Sequence, residues 1–528
     1  MGALVPFRYK AMCRVLHRQQ PALRTIMRQC SRGLASAIRA CFAGSSDTTG
    51  WRTSVAALGL ALGACGTAHA ASYVVKGNGD PGVGGLSLRD ALLSANASPN
   101  SIVTFDPSLN GSTITLTEGQ IPISNATLLI GPGADKLTIN GGGSRIFYLT
   151  QDTSKNIARL TLTGAKSAGG AVIYGRGSRL SLEYCVVSGN TATNSFGASI
   201  EMLEGSFTEI IGSTISGNVG DAIHVEYTPL SVYYSTISGN GRGIRAERSA
   251  VKMGHSIISG NSAGGYDGGG ILMTDAYPSN AMSYLKMTDS TVSGNFAYSF
   301  GGGIDIETAK SVYIARSTIS DNQLTNFSGT GYGGGGLALR SVVGGVTTIV
   351  NSTFYRNFAY HNGGGIGIFD ATTGANTSIR FSTISKNSTS YSYGNGIQTA
   401  AGGAPLIDST IVANNASRLY STDMVGPFGA IHSLITNASH AYLVVGSNNN
   451  IIGQDPQLGP LVSNGGPTLT QLPASTSPVI GQGRGNCNCN GNIDQRGLPR
   501  TFVTVPDIGA VERQNPEVII FRNGFDSS

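Results

Sequence analysis

Charge is scarce in this sequence. Asp, Glu, Lys and Arg make up 12% of its 528 residues, about half the usual quarter, which excludes an acidic or basic disordered tail. Tryptophan occurs once, at Trp51, and aromatic residues total 7%. Seven cysteines do not make a disulfide framework. Cys13, Cys30, Cys41 and Cys65 precede residue 71, Cys185 stands alone, and Cys487 and Cys489 are two apart. A bridge over that spacing would be strained, and two cysteines fall short of the four ligands of a structural zinc site. No apolar run reaches the ~20 residues of a membrane-spanning helix. No cofactor or metal site is expected.

Glycine is abundant instead: 75 residues, about twice the usual share of roughly 7%. So much glycine excludes a helical bundle, and the absence of a three-residue period excludes collagen. A weakly charged β-type chain remains. The net charge of +6 is local. Nine of the 35 basic residues and one of the 29 acidic ones lie in residues 1–70, leaving 26 and 28 beyond. That remainder has no basic excess to attract nucleic acid.

Residues 1–70 read as a leader. The apolar run Val55–Ala64 follows Arg52 and precedes Ala68-His69-Ala70, a pattern of small residues that predicts signal cleavage after Ala70. Within it Leu62-Gly63-Ala64-Cys65 resembles a lipobox, so lipid anchoring at Cys65 is the alternative. The long basic stretch before the run makes Met27 a plausible start.

From residue 151 to 440 the sequence repeats. Ser-Thr-Ile-Ser-Gly-Asn occurs at Ser213–Asn218 and Ser235–Asn240. Variants follow at Ser256–Asn261, Ser290–Asn295, Ser317–Asn322, Ser352–Asn357, Ser382–Asn387, Ser409–Asn414 and Ser433–Asn437, with a degenerate copy at Cys185–Asn190. A Gly-Gly-x-Ile unit alternates with it, at Gly268–Met273, Gly301–Ile306, Gly334–Leu339 and Gly363–Ile368. Segments such as Ile304-Asp305-Ile306 have strand period. A repeat of about 22 residues suits one coil of three short parallel strands, and stacking such coils buries a column of aliphatics. Asn after Gly suits a left-handed turn. The closing residues Asn190, Asn218, Asn240, Asn261, Asn295, Asn322, Asn357 and Asn387 are expected to hydrogen-bond as a ladder.

This pattern resembles the right-handed parallel β-helix of the pectate-lyase-like superfamily, and Phe354-Tyr355-Arg356-Asn357 is similar to the repeats of polymorphic outer-membrane proteins. The expected fold class is therefore all-β, a right-handed parallel β-helix solenoid with capped ends. In residues 71–150, Leu86-Ser87-Leu88-Arg89-Asp90-Ala91-Leu92 resembles the CSLREA domain, with Leu86 and Asp90 in place of its cysteine and glutamate. Helical spacing there predicts an amphipathic plug on the first coil. In residues 441–512 the series Asp455–Leu461, Asn464–Thr468, Ser477–Ile480, Asp494–Gly497 and Asp507–Glu512 resembles the choice-of-anchor Q domain. Asp494, Arg496, Arg500, Asp507 and Glu512 are expected to form a salt-bridged cap. Residues 513–528 form a tail ending in Ile519–Asp526.

Aligning the Gly-Gly-x-Ile units yields an outward row: Glu201, His224, Arg245, Leu272, Asp305, Ala338, Gly367 and Gln398. Two residues on come Leu203, Glu226, Glu247, Thr274, Glu307, Arg340, Phe369 and Ala400. Asp221, His224, Glu226, Arg245 and Glu247 are the candidate acid–base cluster; paired carboxylates suit glycosidic hydrolysis, and an Arg base suits a lyase. Asp305, Glu307, Arg340, Tyr233 and Tyr234 are candidate ligand contacts, with further tyrosines at Tyr391 and Tyr393. The bland reading of these rows is a solvated strand face. Gly220-Asp221-Ala222-Ile223 faintly resembles a polygalacturonase segment, but the paired aspartates, Gly-His-Gly and Arg-Ile-Lys of that family are missing. The resemblances imply an exported bacterial cell-surface or secreted protein with a structural, adhesive or glycan-recognition role. The alternative is a polysaccharide lyase or glycoside hydrolase. Expected partners are cell-surface glycans or extracellular polysaccharide, and neither nucleic acid nor a membrane span is expected.

Overall fold

The computed structural model describes residues 70–514 except 82–84, 151, 206, 276–282, 326–332, 391–393, 400–402, 418–420, 486–491 and 501–504. The Cys65 lipobox, Met27, Tyr391, Tyr393, Ala400, Cys487, Cys489 and the tail Ile519–Asp526 lie outside the described residues. Ser72–Ala97 and Ser101–Ser528 form the coiled unit, and Met1–Ala71 with Ser98–Asn100 a separate one. Among the described residues no helix is long and apolar enough to cross a membrane.

Each repeat makes one coil. In one of them Asp221–Glu226, Leu230–Tyr233 and Thr236–Ser238 are the three strands. The next coil supplies Ile244–Glu247, Val251–Gly254 and Ile257–Ser259. All three pairings are parallel, with Ile223 opposite Ile244, Val232 opposite Met253 and Ile237 opposite Ile258. Repetition builds a front ladder from the Gly-Gly-x-Ile strands, a middle ladder, and a back ladder from the Thr-Ile-Ser strands. The middle ladder has no motif of its own. Its strands show only alternation, as in Leu180 and Leu182 inward from Arg179–Glu183. Alternation places Ile223, Val225, Val232, Ile237, Ile244 and Met253 in one buried column with their counterparts in other coils. Complete burial of such side chains stabilises by roughly 1.5–3 kcal/mol each.

The asparagines close each back strand and point inward. Each side-chain amide donates to the next Asn Oδ1, from Asn190 through Asn218, Asn240, Asn261, Asn295, Asn322, Asn357 and Asn387, at 2.8 to 3.0 Å. Each Oδ1 also accepts the preceding asparagine's backbone N–H, as in Asn240 to Asn261 at 3.1 Å. The left-handed position belongs to the residue before it, a glycine in the earlier coils, as at Gly217 with φ 62°, and Asp321, Arg356 or Lys386 in later ones, and not to the asparagine. The chain must reverse while the asparagine turns inside, and glycine makes that turn without a Cβ clash.

A serine ladder runs beside it. Ser213, Ser235, Ser256, Ser290, Ser317, Ser352 and Ser382 each accept the backbone N–H of the preceding ladder residue, at 3.1 to 3.3 Å. Cys185 holds the first of these positions and is buried. The repeat read as Ser409–Asn414 shifts by one residue. Thr410 Oγ1 takes the serine position, Ile411 pairs with Thr383, and Asn415, not Asn414, continues the asparagine ladder at 2.9 Å. Asp423 ends it, accepting from Asn415 Nδ2 at 2.9 Å.

Helix α1, Leu88–Asn96, is capped by Ser87 and buries Leu88, Ala91, Leu92 and Ala95 against the first strands of the front and middle ladders. Arg89 holds it down with a double contact to Asp80 at 2.6 and 2.7 Å. At the other end the chain does something different. The Asp494–Glu512 cluster does form, with Arg496–Asp494 at 2.7 Å and Arg500–Glu512 at 3.5 Å. It does not cap the last coil. The described residues of 456–513 run back along the outer surface of the back ladder as a strap. Gln495 accepts from Thr353 and donates to Thr318, Gln471 accepts from Ser385, and Arg500 donates to Asn351. Thr318, Thr353 and Thr383 are consequently buried. The back strands offer hydroxyls at Thr318, Thr353, Thr383 and Ser385, and the strap binds each of them.

Replacing Asn295 by Leu strands two amide groups of the buried ladder, each worth about 1–3 kcal/mol when unsatisfied. Thermal unfolding should show a fall of several degrees in Tm; an unchanged Tm would contradict a structural role for the ladder. Gln495→Ala should expose Thr318 and Thr353 and speed cleavage within residues 456–513 by a nonspecific protease, with the coils left intact.

Candidate functional site

The front ladder carries the outward row in unbroken register: Tyr174, Glu201, His224, Arg245, Leu272, Asp305, Ala338, Gly367 and Gln398. Charges here were expected to be solvated. They are buried instead, with Asp305 at 0%, His224 at 5%, Asp221 at 6% and Arg245 at 9% relative exposure. Part of the cover comes from segments between a ladder asparagine and the next front strand, which form a wall where Phe196 lies over Arg245 beside Tyr266 and Phe300 lies over Arg340.

Two ionic centres sit below that wall. In the first, His224 lies between two carboxylates, Nδ1 3.1 Å from Glu201 Oε1 and Nε2 3.3 Å from Glu247 Oε1, the latter an ion contact without hydrogen-bond alignment. Arg245 donates to Asp221 at 3.0 Å, to Glu247, and to the Phe196 carbonyl at 2.5 Å. Arg242 donates to Asp221 at 3.0 Å and to the Asp267 carbonyl at 3.0 Å. Burial pulls the His224 pKa down, but the contacts with Glu201 and Glu247 outweigh it and leave it raised. The contact with His224 in turn lowers Glu247.

In the second centre Arg340 Nη2 meets three carboxylates, Asp305 at 2.7 Å, Glu307 at 3.3 Å and Asp267 at 3.7 Å. Its Nε also donates to Asp305 at 3.1 Å. Burial pushes the Asp305 carboxyl up to about 7 against the pull of Arg340. The guanidinium lies 4.5 Å from the Phe300 ring centre, and Phe300 meets Phe369 edge-on at 5.2 Å. Gly367 allows that arrangement, because a Cβ there would stand 2.7 Å from the Phe369 ring.

Between the centres lies a cavity of about 210 Å³ lined by Phe196, Tyr266, Asp267, Leu272, Glu307 and Arg340, with Arg242, Arg245 and Glu247. Of the candidate acid–base residues, Asp221, His224, Arg245 and Glu247 come together. Glu226 stands in register with Glu247 and joins none of the ion pairs among the described residues. Asp305, Glu307 and Arg340 converge on the cavity. Tyr233 and Tyr234 do not: they end a middle strand, where Tyr234 takes φ 52° and stacks on His255 at 5.0 Å. Phe196, Tyr266 and Phe300 were not singled out from sequence, and Phe369 entered only as a member of the second outward row. The available signal was an aromatic recurring between ladder asparagine and glycine pair, as in Asn295-Phe296-Ala297-Tyr298-Ser299-Phe300. Among the described residues no group of three His, Cys, Asp or Glu is arranged to hold a metal ion.

A family model described as the right handed beta helix region matches residues 145–323. The chain is a right-handed parallel β-helix. Solved structures of similar fold include a pectate lyase, Pel9A, at 14% identity over 85% of this chain and 98% of that one, with a TM-score of 0.37. The catalytic domain of a GH87 alpha-1,3-glucanase in complex with tetrasaccharides is 12% identical over 72% and 68%, with a TM-score of 0.38. PfbA, a surface adhesin of Streptococcus pneumoniae, is 11% identical over 71% and 92%, with a TM-score of 0.32. Comparison with curated proteins finds no match.

The raised His224 pKa gives a pH test. A folded pKa above the unfolded value adds stability that is complete below the unfolded pKa and is lost as pH rises through the folded pKa. The Tm deficit of His224→Gln should therefore be larger at about pH 5.5 than at about pH 9. An equal deficit at both values would mean that His224 packs as a neutral ring.

Proposed function

We propose that this is an exported cell-surface or secreted protein that recognises polysaccharide along the front groove without cleaving it. One observation carries the reading: the groove joins an aromatic wall to a floor whose charged groups are already paired with one another. Rings such as Phe196 and Tyr266 offer apolar faces to the C–H faces of sugars, and the surrounding ion pairs offer fixed polar edges. Cleavage asks for more. A general acid must reach the glycosidic oxygen in its protonated form. Asp305 has the raised pKa, but both its oxygens face Arg340 and its side chain is sealed from solvent. Glu247 is accessible but held ionised. A lyase base must be able to lose a proton, and Arg340 sits among carboxylates that outweigh its burial and keep its pKa raised, while Arg245 is engaged by Asp221 and Glu247.

The experiment is a glycan-array screen of the full chain, followed by binding and turnover assays on the hits. Binding without release of reducing ends or unsaturated products is the expected result. Tyr266→Ala should weaken that binding by about tenfold, the scale of a lost aromatic contact, at unchanged Tm. Turnover that disappears in Glu247→Gln or Glu307→Gln would overturn the non-catalytic reading.

A further inference from the structure

Where both partners of an ion pair line the cavity the acid is the more exposed, whereas the deeper Asp305 and Asp221 are less exposed than Arg340 and Arg245. Glu307, Glu247 and Asp267 side chains are 46%, 30% and 27% exposed. Arg340, Arg245 and Arg242 are 22%, 11% and 3% exposed. The guanidinium groups are drawn under the aromatic wall, where Arg340 lies against Phe300 and Arg245 against Phe196 at 5.8 Å. The carboxylates face the opening. Charge is also unequal in number, because the single Arg340 is shared by Asp267 and Glu307 beside the buried Asp305. A ligand entering the cavity therefore meets carboxylate oxygens and the rings of Phe196 and Tyr266, which are 48% and 40% exposed and 4.8 Å apart. Leu272 lies beneath them.

Two physical consequences follow. A uronate or sulfated chain would bring like charge against Glu247, Asp267 and Glu307, which costs binding free energy in a site partly shielded from water. A protonated amine would gain both from those carboxylates and from the faces of the rings, since a cation over an aromatic ring is attracted to its quadrupole. A cavity of about 210 Å³ is smaller than the ~300–1,000 Å³ of sites for drug-sized ligands and suits a single sugar residue of a longer chain.

Resting on the recognition role proposed above, we infer that the groove selects a hexosamine polymer bearing free amino groups, with one glucosamine-type residue seated between Phe196, Tyr266, Asp267 and Glu307. Uronate polymers are excluded by the same charges.

The test is calorimetric titration of the full chain with three hexamers, of β-1,4-glucosamine, N-acetylglucosamine and galacturonate. It is run at about pH 5.5, where ordinary carboxylates are ionised. The glucosamine hexamer should bind tightest, and its affinity should fall as salt rises. Glu307→Gln and Asp267→Asn should each weaken it about fivefold, the scale of a partly screened charge pair, while Tm stays unchanged. Both substitutions should weaken the free-amine hexamer more than the acetylated one. Equal affinity for the acetylated and free-amine hexamers, lost in Tyr266→Ala, would overturn the amine preference and leave the recognition role standing. Tight binding of the galacturonate hexamer would overturn it too. If a glycan array and all three hexamers give no binding, both readings fall.

Discussion

Every feature of this molecule depends on the backbone hydrogen bonds between successive coils. Parallel pairing fixes the register residue by residue, at roughly 4.8 Å per coil. A side chain on one coil therefore meets its counterpart on the next, whatever the length of chain between them. The spacing between ladder asparagines varies from 21 to 35 residues, yet the Asn–Asn distances stay between 2.8 and 3.0 Å. Variation is discharged into the outer turns. The same rule explains why asparagine recurs: its amide has both donor and acceptor, so one residue type satisfies itself along the stack.

Charged groups obey the register with a different result. Identical carboxylates one coil apart would repel. The first front row avoids this, with Glu201, His224 and Arg245 on consecutive coils and Asp305 answered by Arg340 two residues further along the next coil; two residues on, Glu226 does face Glu247, which Arg245 and His224 offset. Leu272 separates the two centres and leaves the space that becomes the cavity. Once paired, the charges can be covered by aromatics, and the cover raises Asp305 and orients Arg340 beneath Phe300. The groove is thus a product of stacking first and of loop length second.

Much of this was written in the repeats. The outward row Glu201–His224–Arg245–Leu272–Asp305 followed from aligning glycine pairs. The one-residue slip at Thr410 arose because Ser409 offered a plausible start, and only pairing with Thr383 decides between them. The middle ladder was silent because alternation over four or five residues, as in Leu230–Tyr233, carries little signal without a flanking turn motif. Tyr233 and Tyr234 looked like ligand contacts because they are aromatic neighbours, but their strand belongs to another face.

The sequence by itself determined the coil, its ladder asparagines and the order of charges along the front face, because each is a periodic property and register converts periodicity into contact. Only the tertiary structure decided that the charges are buried, that the aromatics between Asn295 and Gly301 stand over them, and that the described residues of 456–513 lie along the back ladder rather than across the last coil. Those outcomes depend on where turns of unequal length come to rest on neighbouring coils, and that position is set by packing, which has no period to read.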